Sequence, residues 1–155
     1  MVWARISKKG KLPLIFVEPG VKINAKYYLE SILKSVLKPH ADILHEEGDW
    51  IFQQDSAPSH TAKICQDWCK ENLPGFIDPS IWPPSSPDLN PLDYCIWGML
   101  EEKVNSKRHS SIETLKASIQ REWNDLSMED VRESIDAWSR RLRAVRAKRG
   151  GRFEK

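Results

Sequence analysis

A short apolar run, Trp50-Ile51-Phe52, leads through Gln53-Gln54 to Asp55, and Ser56-Ala57-Pro58-Ser59 turns the chain at once. A helical pattern follows from about His60 to Asn72, and Pro74-Gly75 stops it. Residues 79–91 then hold five prolines, at 79, 83, 84, 87 and 91, so that stretch reads as an irregular loop. Asn90-Pro91 restarts a helix, with a good N-cap residue followed by proline at the first helical position. Asp93 falls in its first turn. This succession restricts the chain more than any other feature, because it fixes one acidic residue at a strand end and another at a helix start.

The flanking segments supply the scaffold. Val2 to Ser7 and Leu12 to Glu18 read as two strands, and Lys8-Lys9-Gly10-Lys11 makes the link short enough for an antiparallel hairpin. Asn24 caps a helix reaching about Leu44, with Tyr28, Leu29, Ile32, Leu33, Val36 and Leu37 at spacings of three and four. Pro39 is expected to kink or break that helix near its end. Phe76-Ile77, or Ile81-Trp82, offers a last short strand. Ser110 or Ser111 caps a helix with Ile112, Leu115, Ile119, Trp123 and Leu126 on its apolar face. Ser127 starts another, faced by Val131, Ile135, Trp138, Leu142 and Val145. A hairpin, βα units and terminal helices make a mixed α/β domain with helices covering a small sheet.

The totals set the class. A chain of 155 residues, 40% hydrophobic and 30% charged, fits one globular domain. Its +2 overall charge hides an asymmetry: residues 137–155 carry eight cations against Glu154 alone, a net +7, which leaves −5 on the remainder. A basic end of that kind suits an anionic partner, although a charged helix face is also ordinary. Cys65, Cys69 and Cys95 are odd in number and lack zinc-ligand spacing with a His partner, so they read as reduced thiols of an intracellular protein. No apolar run approaches the ~18 residues of a membrane span, and the N-terminal pattern is not that of a secretory leader.

Asp55 and Asp93 each admit two readings. A strand-end aspartate in an α/β sheet sits where ligands and metals bind, yet Asp before Ser-Ala-Pro also caps its own turn. An aspartate at N3 of a helix can hold a cation, yet it also complements the helix dipole. Asp88 is a rival carboxylate in a turn-like Ser-Pro-Asp. His60 can contact a phosphate, order the site or bond locally.

The wording of the two motifs is more specific than their spacing. QQDSAPSH followed by WPPSSPDLNPLDYCIWGMLEEKV resembles the catalytic domain of mariner-like transposases of the DDE/DDD type. The two motif aspartates match Asp55 and Asp93, 37 residues apart in between, rather than Asp88. The resemblance covers nearly the whole chain. It implies a ribonuclease H-like fold over residues 1–149; the basic tail at 150–155, which opens on Gly150-Gly151, is expected to fray. It implies Mg²⁺ or Mn²⁺ at Asp55 and Asp93, DNA as substrate and partner, a nuclear setting, and no membrane or small-molecule cofactor. His60, Arg140, Arg141, Arg143 and Arg146 are the residues expected to meet nucleic acid.

The family's first catalytic aspartate lies on a strand upstream of the one that Val2 to Ser7 resembles. The expected sheet therefore lacks its first strand, which in that fold lies beside the one matching Trp50 to Gln54. The consequences expected are a marginal domain that tends to self-associate, weakened metal binding, and little or no strand transfer. The competing expectation is a non-enzymatic nucleic-acid-binding module that keeps the fold and not the chemistry.

Overall fold

The computed structural model describes residues 1–83 and 85–148. The chain is rich in helix with one small sheet. Its contacts divide into two compact units, Val17–Ser86 with Met1, and Val2–Phe16 with the chain from Pro87 onward. The basic tail expected at 150–155 lies outside the described residues.

In the second of these units the hairpin forms, but its regular pairing is shorter than the sequence suggests. β1 (Val2–Trp3) pairs antiparallel with β2 (Ile15–Phe16), Val2 opposite Phe16 and Trp3 opposite Ile15. Nearer the turn, Ile6 bridges Lys11, and the Leu12 N–H donates to the Arg5 carbonyl at 3.0 Å. The register slips by one residue between these stretches, and Pro13-Leu14 of the second strand stand opposite Ala4 alone. Proline has no N–H to give the ladder, so the second strand bulges there and the pairing is interrupted.

The same unit holds the C-terminal helices. Wide i→i−5 turns over Leu92–Ile96 run into α5 (Trp97–Asn105). α6 (Ile112–Asp125) starts at Ser111, whose hydroxyl accepts from the Thr114 N–H while Thr114 bonds back, a reciprocal capping box. α7 (Met128–Ala147) starts at Ser127, which accepts from the Glu129 N–H. Ala4 and Leu14 of the hairpin, Ile96 and Leu100, Trp123 and Leu126, and Val131 form one buried cluster. Its edge is tied by polar bonds as well. Lys11 Nζ donates to the carbonyls of Trp123 and Leu126, both at 2.6 Å, which satisfies the otherwise open C-terminal end of α6. Trp123 Nε1 donates to the Leu12 carbonyl at 3.0 Å. Two predicted face residues lie outside the core: Ile112 and Leu142 are exposed.

In the other unit, Asn24 caps the first long helix as expected, accepting from the Tyr27 N–H at 2.9 Å. Three segments follow without a break: α1 (Ala25–Tyr27), wide i→i−5 turns over Tyr28–Leu37, and α2 (Lys38–Leu44). Pro39 does not end the helix. The widened turns before it, closing with the Lys38 N–H on the Leu33 carbonyl, remove the tight i−4 packing that proline's ring would clash with. Tyr28, Ile32, Leu33, Leu37 and Ala41 are buried, and α4 (Lys63–Asn72) packs against this helix through its buried Cys65 and Cys69.

The segment Trp50–Gln54 has less regular pairing than a strand. It makes one parallel bridge, Phe52 to Phe76, in which the Phe52 N–H donates to Gly75 at 2.9 Å and the Phe52 carbonyl accepts from Ile77 at 3.0 Å. Phe76-Ile77, rather than Ile81-Trp82, is thus the last strand-like piece. Gly75 is required by the close approach: a Cβ there would lie 2.9 Å from Ile51 Cγ1 and 3.0 Å from the Trp50 carbonyl oxygen.

Candidate active site

Asp55 follows directly on the bridged segment, where the chain leaves Phe52 and turns. The helix expected from His60 onward is in fact two. α3 (Pro58–Thr61) is one short turn, and Ala62 is extended, with φ −60° and ψ 136°, before α4 begins. The single turn of α3 brings His60 back to Asp55. His60 Nδ1 lies 2.6 Å from Asp55 Oδ1, and the Ala57 N–H donates to the same oxygen at 3.1 Å. An ionised carboxylate only accepts, so the proton of this bond belongs to His60 Nδ1. The His60 bond, helped by Ala57 and opposed by partial burial, holds the Asp55 carboxyl below the ordinary aspartate range. Oδ2 has no hydrogen-bond partner among the described residues, and the side chain is 57% exposed. The turn reading of Asp55 is seen in the bond from Ala57 to Oδ1, while Oδ2 faces no hydrogen-bond donor among the described residues.

His60 is in turn surrounded. The Tyr28 ring packs against its ring in a tilted arrangement, with centroids 4.1 Å apart. Gln66 Nε2 donates to the His60 carbonyl at 2.6 Å, and Gln54 Nε2 approaches the same oxygen at 3.4 Å. The Tyr28 hydroxyl donates to Gln54 Oε1 at 2.7 Å. Sequence reasoning placed Tyr28 only as an apolar helix-face residue and missed Gln54 and Gln66. After the break at Ala62, α4 turns Gln66 inward and leaves Ile64 49% exposed.

Asp93 belongs to the other compact unit. Asn90 Oδ1 accepts from the Leu92 N–H at 3.2 Å, and the Asp93 N–H donates to the Asn90 carbonyl at 2.9 Å. Asp93 is exposed in the first turn, at the positive end of the helix dipole, which favours a carboxylate. The next residue fastens this turn to α7. The Tyr94 hydroxyl donates to the Ser134 carbonyl at 2.5 Å, and the Arg141 guanidinium lies 3.8 Å from the Tyr94 ring centroid. Arg141 Nη1 also donates to the carbonyl of Asp88 at 3.3 Å. Of the four arginines expected to meet nucleic acid, Arg140, Arg143 and Arg146 are exposed, whereas Arg141 is half-buried in these contacts.

The donor set suits a hard divalent cation, which takes carboxylate oxygen and usually keeps waters and substrate phosphates as its other ligands. Asp55, ionised and with one uncommitted oxygen, fits that role. Cys65 and Cys69 do not: both are buried, and burial pushes the Cys69 thiol up to about 12. Among the described residues, no group of three or more His, Cys, Asp or Glu stands ready to hold a metal. No helix among them is long and apolar enough to cross a membrane.

A family model for DDE superfamily endonucleases matches residues 1–116. The chain is 30% identical over 145 residues to the Tcb1 transposase of Caenorhabditis briggsae, covering 94% of this chain and 50% of that protein. It is 29% identical over 146 residues to the Tc1 transposase of Caenorhabditis elegans, again covering 94% and 50%. It therefore spans about half the length of the curated relatives it matches. In three dimensions it is similar to the catalytic domain of Mos1 mariner transposase, with a TM-score of 0.81 at 24% identity, covering 99% of this chain and 74% of that one. The Mos1 transposase paired-end complex with the left transposon end gives a TM-score of 0.81 at 25% identity, covering 99% of this chain and 44% of that one. The Mos1 catalytic domain is also known with raltegravir and Mn, and with raltegravir and Mg.

Proposed function

The chain belongs to the DDE superfamily endonucleases, and from that premise we propose that residues 1–155 are part of the catalytic domain of a cut-and-paste DNA transposase. The observation that carries the proposal is Asp55: a strand-end carboxylate, ionised, with Oδ1 tied to His60 and Ala57 and Oδ2 open. Asp93, in the matching second motif, is the second carboxylate of the family pattern. The substrate is DNA at a transposon end, and the working compartment is the nucleus.

The reaction this supports is displacement at phosphorus. Water attacks a phosphodiester, the bond to the 3′ oxygen breaks, and a 3′-hydroxyl and a 5′-phosphate result; that hydroxyl then attacks a phosphorus of target DNA, whose bond to its own 3′ oxygen breaks and leaves a target 3′-hydroxyl. A divalent cation, Mg²⁺ or Mn²⁺, supplies stabilisation of the charge that develops on the phosphoryl oxygens. The residues of this chain supply the rest. Asp55 presents one fixed oxygen, and His60 keeps its partner oxygen occupied. The exposed Arg140, Arg143 and Arg146 neutralise backbone phosphates without reading sequence.

Residues 1–155 match two carboxylate positions of the family pattern, Asp55 and Asp93. Two carboxylates hold a divalent cation less firmly than three, so under this proposal residues 1–155 taken alone bind metal weakly and do not complete strand transfer. Gel analysis of labelled transposon-end duplex with Mn²⁺ is expected to show no cleavage product. A product that disappears in Asp55→Ala would overturn the proposed deficit.

A second reading, a DNA-binding module without chemistry, is favoured by the exposed arginines of α7. Under it, binding persists and depends on salt. Neutralising Arg140, Arg143 or Arg146 should each lower the slope of log K against log salt by about 1. Arg141→Gln should leave that slope unchanged, because Arg141 is spent on Tyr94 and Asp88. Equal loss of slope at all four positions would contradict this division.

A further inference from the structure

The side chain that holds Asp55 has little rigidity of its own. His60 sits in a helix of four residues, which Ala62 breaks. Its position comes from outside that helix. We infer that Tyr28, with Gln54 and Gln66, is a positioning residue that fixes the His60 imidazole and, through it, keeps Asp55 Oδ1 committed and Oδ2 open. The inference deepens the reading of Asp55 as a metal-holding carboxylate and rests on it.

Three contacts fix His60. The Tyr28 ring, 1% exposed, lies under the imidazole with an interplanar angle of 33°. Its hydroxyl bonds Gln54 Oε1, which sets the Gln54 amide with its nitrogen toward the His60 carbonyl. Gln66 donates to the same carbonyl from α4. One contact thus holds the ring, and two amides hold the backbone beneath it. Gln66 is chemically costly where it stands. It is 8% exposed, and its Oε1 is buried with no hydrogen-bond partner among the described residues. A buried amide with an unsatisfied oxygen is worse for stability than Leu or Met of similar volume. Its retained donor goes to the one backbone atom that anchors the His60–Asp55 pair. The Tyr28 hydroxyl reaches His60 only through the long Gln54 contact of 3.4 Å, so the ring carries most of the hold that Tyr28 has on the imidazole.

The test is imidazole ¹H–¹⁵N NMR of the metal-free chain at one fixed pH, joined to Mn²⁺ titration by EPR of the free ion. In the wild type, the His60 Nδ1 proton should appear downfield and exchange slowly. It should persist in Tyr28→Phe, which keeps the ring, with Mn²⁺ affinity within about twofold. It should broaden or vanish in Tyr28→Leu and in Gln66→Met, with Mn²⁺ affinity down by roughly tenfold, the lower end of what loss of a supporting partner costs a metal site. If Tyr28→Leu fails to fold, Gln66→Met decides, since methionine fills the pocket without burying an amide. An unchanged His60 proton and unchanged affinity in a folded Gln66→Met would overturn the positioning role. A wild type that takes up no Mn²⁺, while its His60 proton still vanishes in Gln66→Met, would overturn the metal reading and leave the positioning role standing.

Discussion

Asp55 shows how one side chain serves a turn and a site at once. Its Oδ1 accepts from Ala57 and His60, and these bonds depress its titration in the folded chain. A carboxylate depressed by folding adds stability at pH values above its unfolded pKa and stops doing so as pH falls through its folded one. In the metal-free chain, Asp55→Asn should therefore flatten the dependence of Tm on pH below about pH 5, with the two curves converging in stronger acid. Parallel curves would show that the His60 bond contributes nothing to the fold. The sequence made Asp55 legible, because a strand end, a Pro-containing turn and a following His coincide there. Tyr28 and Gln66 were not legible. A tyrosine at helical spacing among Leu and Ile looks like plain core, and whether Gln66 faces inward depends on the extended Ala62, which no periodicity signals.

At the level of elements, the hairpin, the Asn24 cap, the Ser111 and Ser127 starts and the Asn90-Pro91 restart all follow from local chemistry. Their lengths and interruptions do not. Pro13 splits a strand that composition alone would make continuous, and the wide turns of Tyr28–Leu37 carry a helix through Pro39. Both outcomes depend on how the backbone redistributes hydrogen bonds around a residue that has no N–H to give. Two glycines separate a packing requirement from a propensity cost. Gly75→Ala should destabilise by about 1–3 kcal/mol, because the new methyl meets the Trp50 carbonyl and Ile51. Gly98→Ala, in α5 with nothing within 4 Å, should instead stabilise by up to about 1 kcal/mol. Chemical denaturation of both variants checks the pair; the same sign in each would contradict the close approach of Gly75 to the Trp50–Phe52 segment.

At the scale of the whole molecule, the family match over residues 1–116 and the similarity to the Mos1 catalytic domain across 99% of this chain agree with the two motifs that first pointed to a transposase. The charge asymmetry was equally legible, but its division of labour was not. Only the fold shows that Arg141 braces the turn bearing Asp93 while Arg140, Arg143 and Arg146 face solvent. The central proposal is that Asp55 and Asp93 each serve this chain as a metal-holding carboxylate. Mn²⁺ titration of the wild type, Asp55→Asn and Asp93→Asn, followed by EPR of the free ion, tests it most directly. Since loss of a mere supporting partner costs a metal site ~10–100-fold, loss of either ligand should weaken binding at least tenfold. Binding of the same strength in all three proteins, or none in the wild type, would contradict the account.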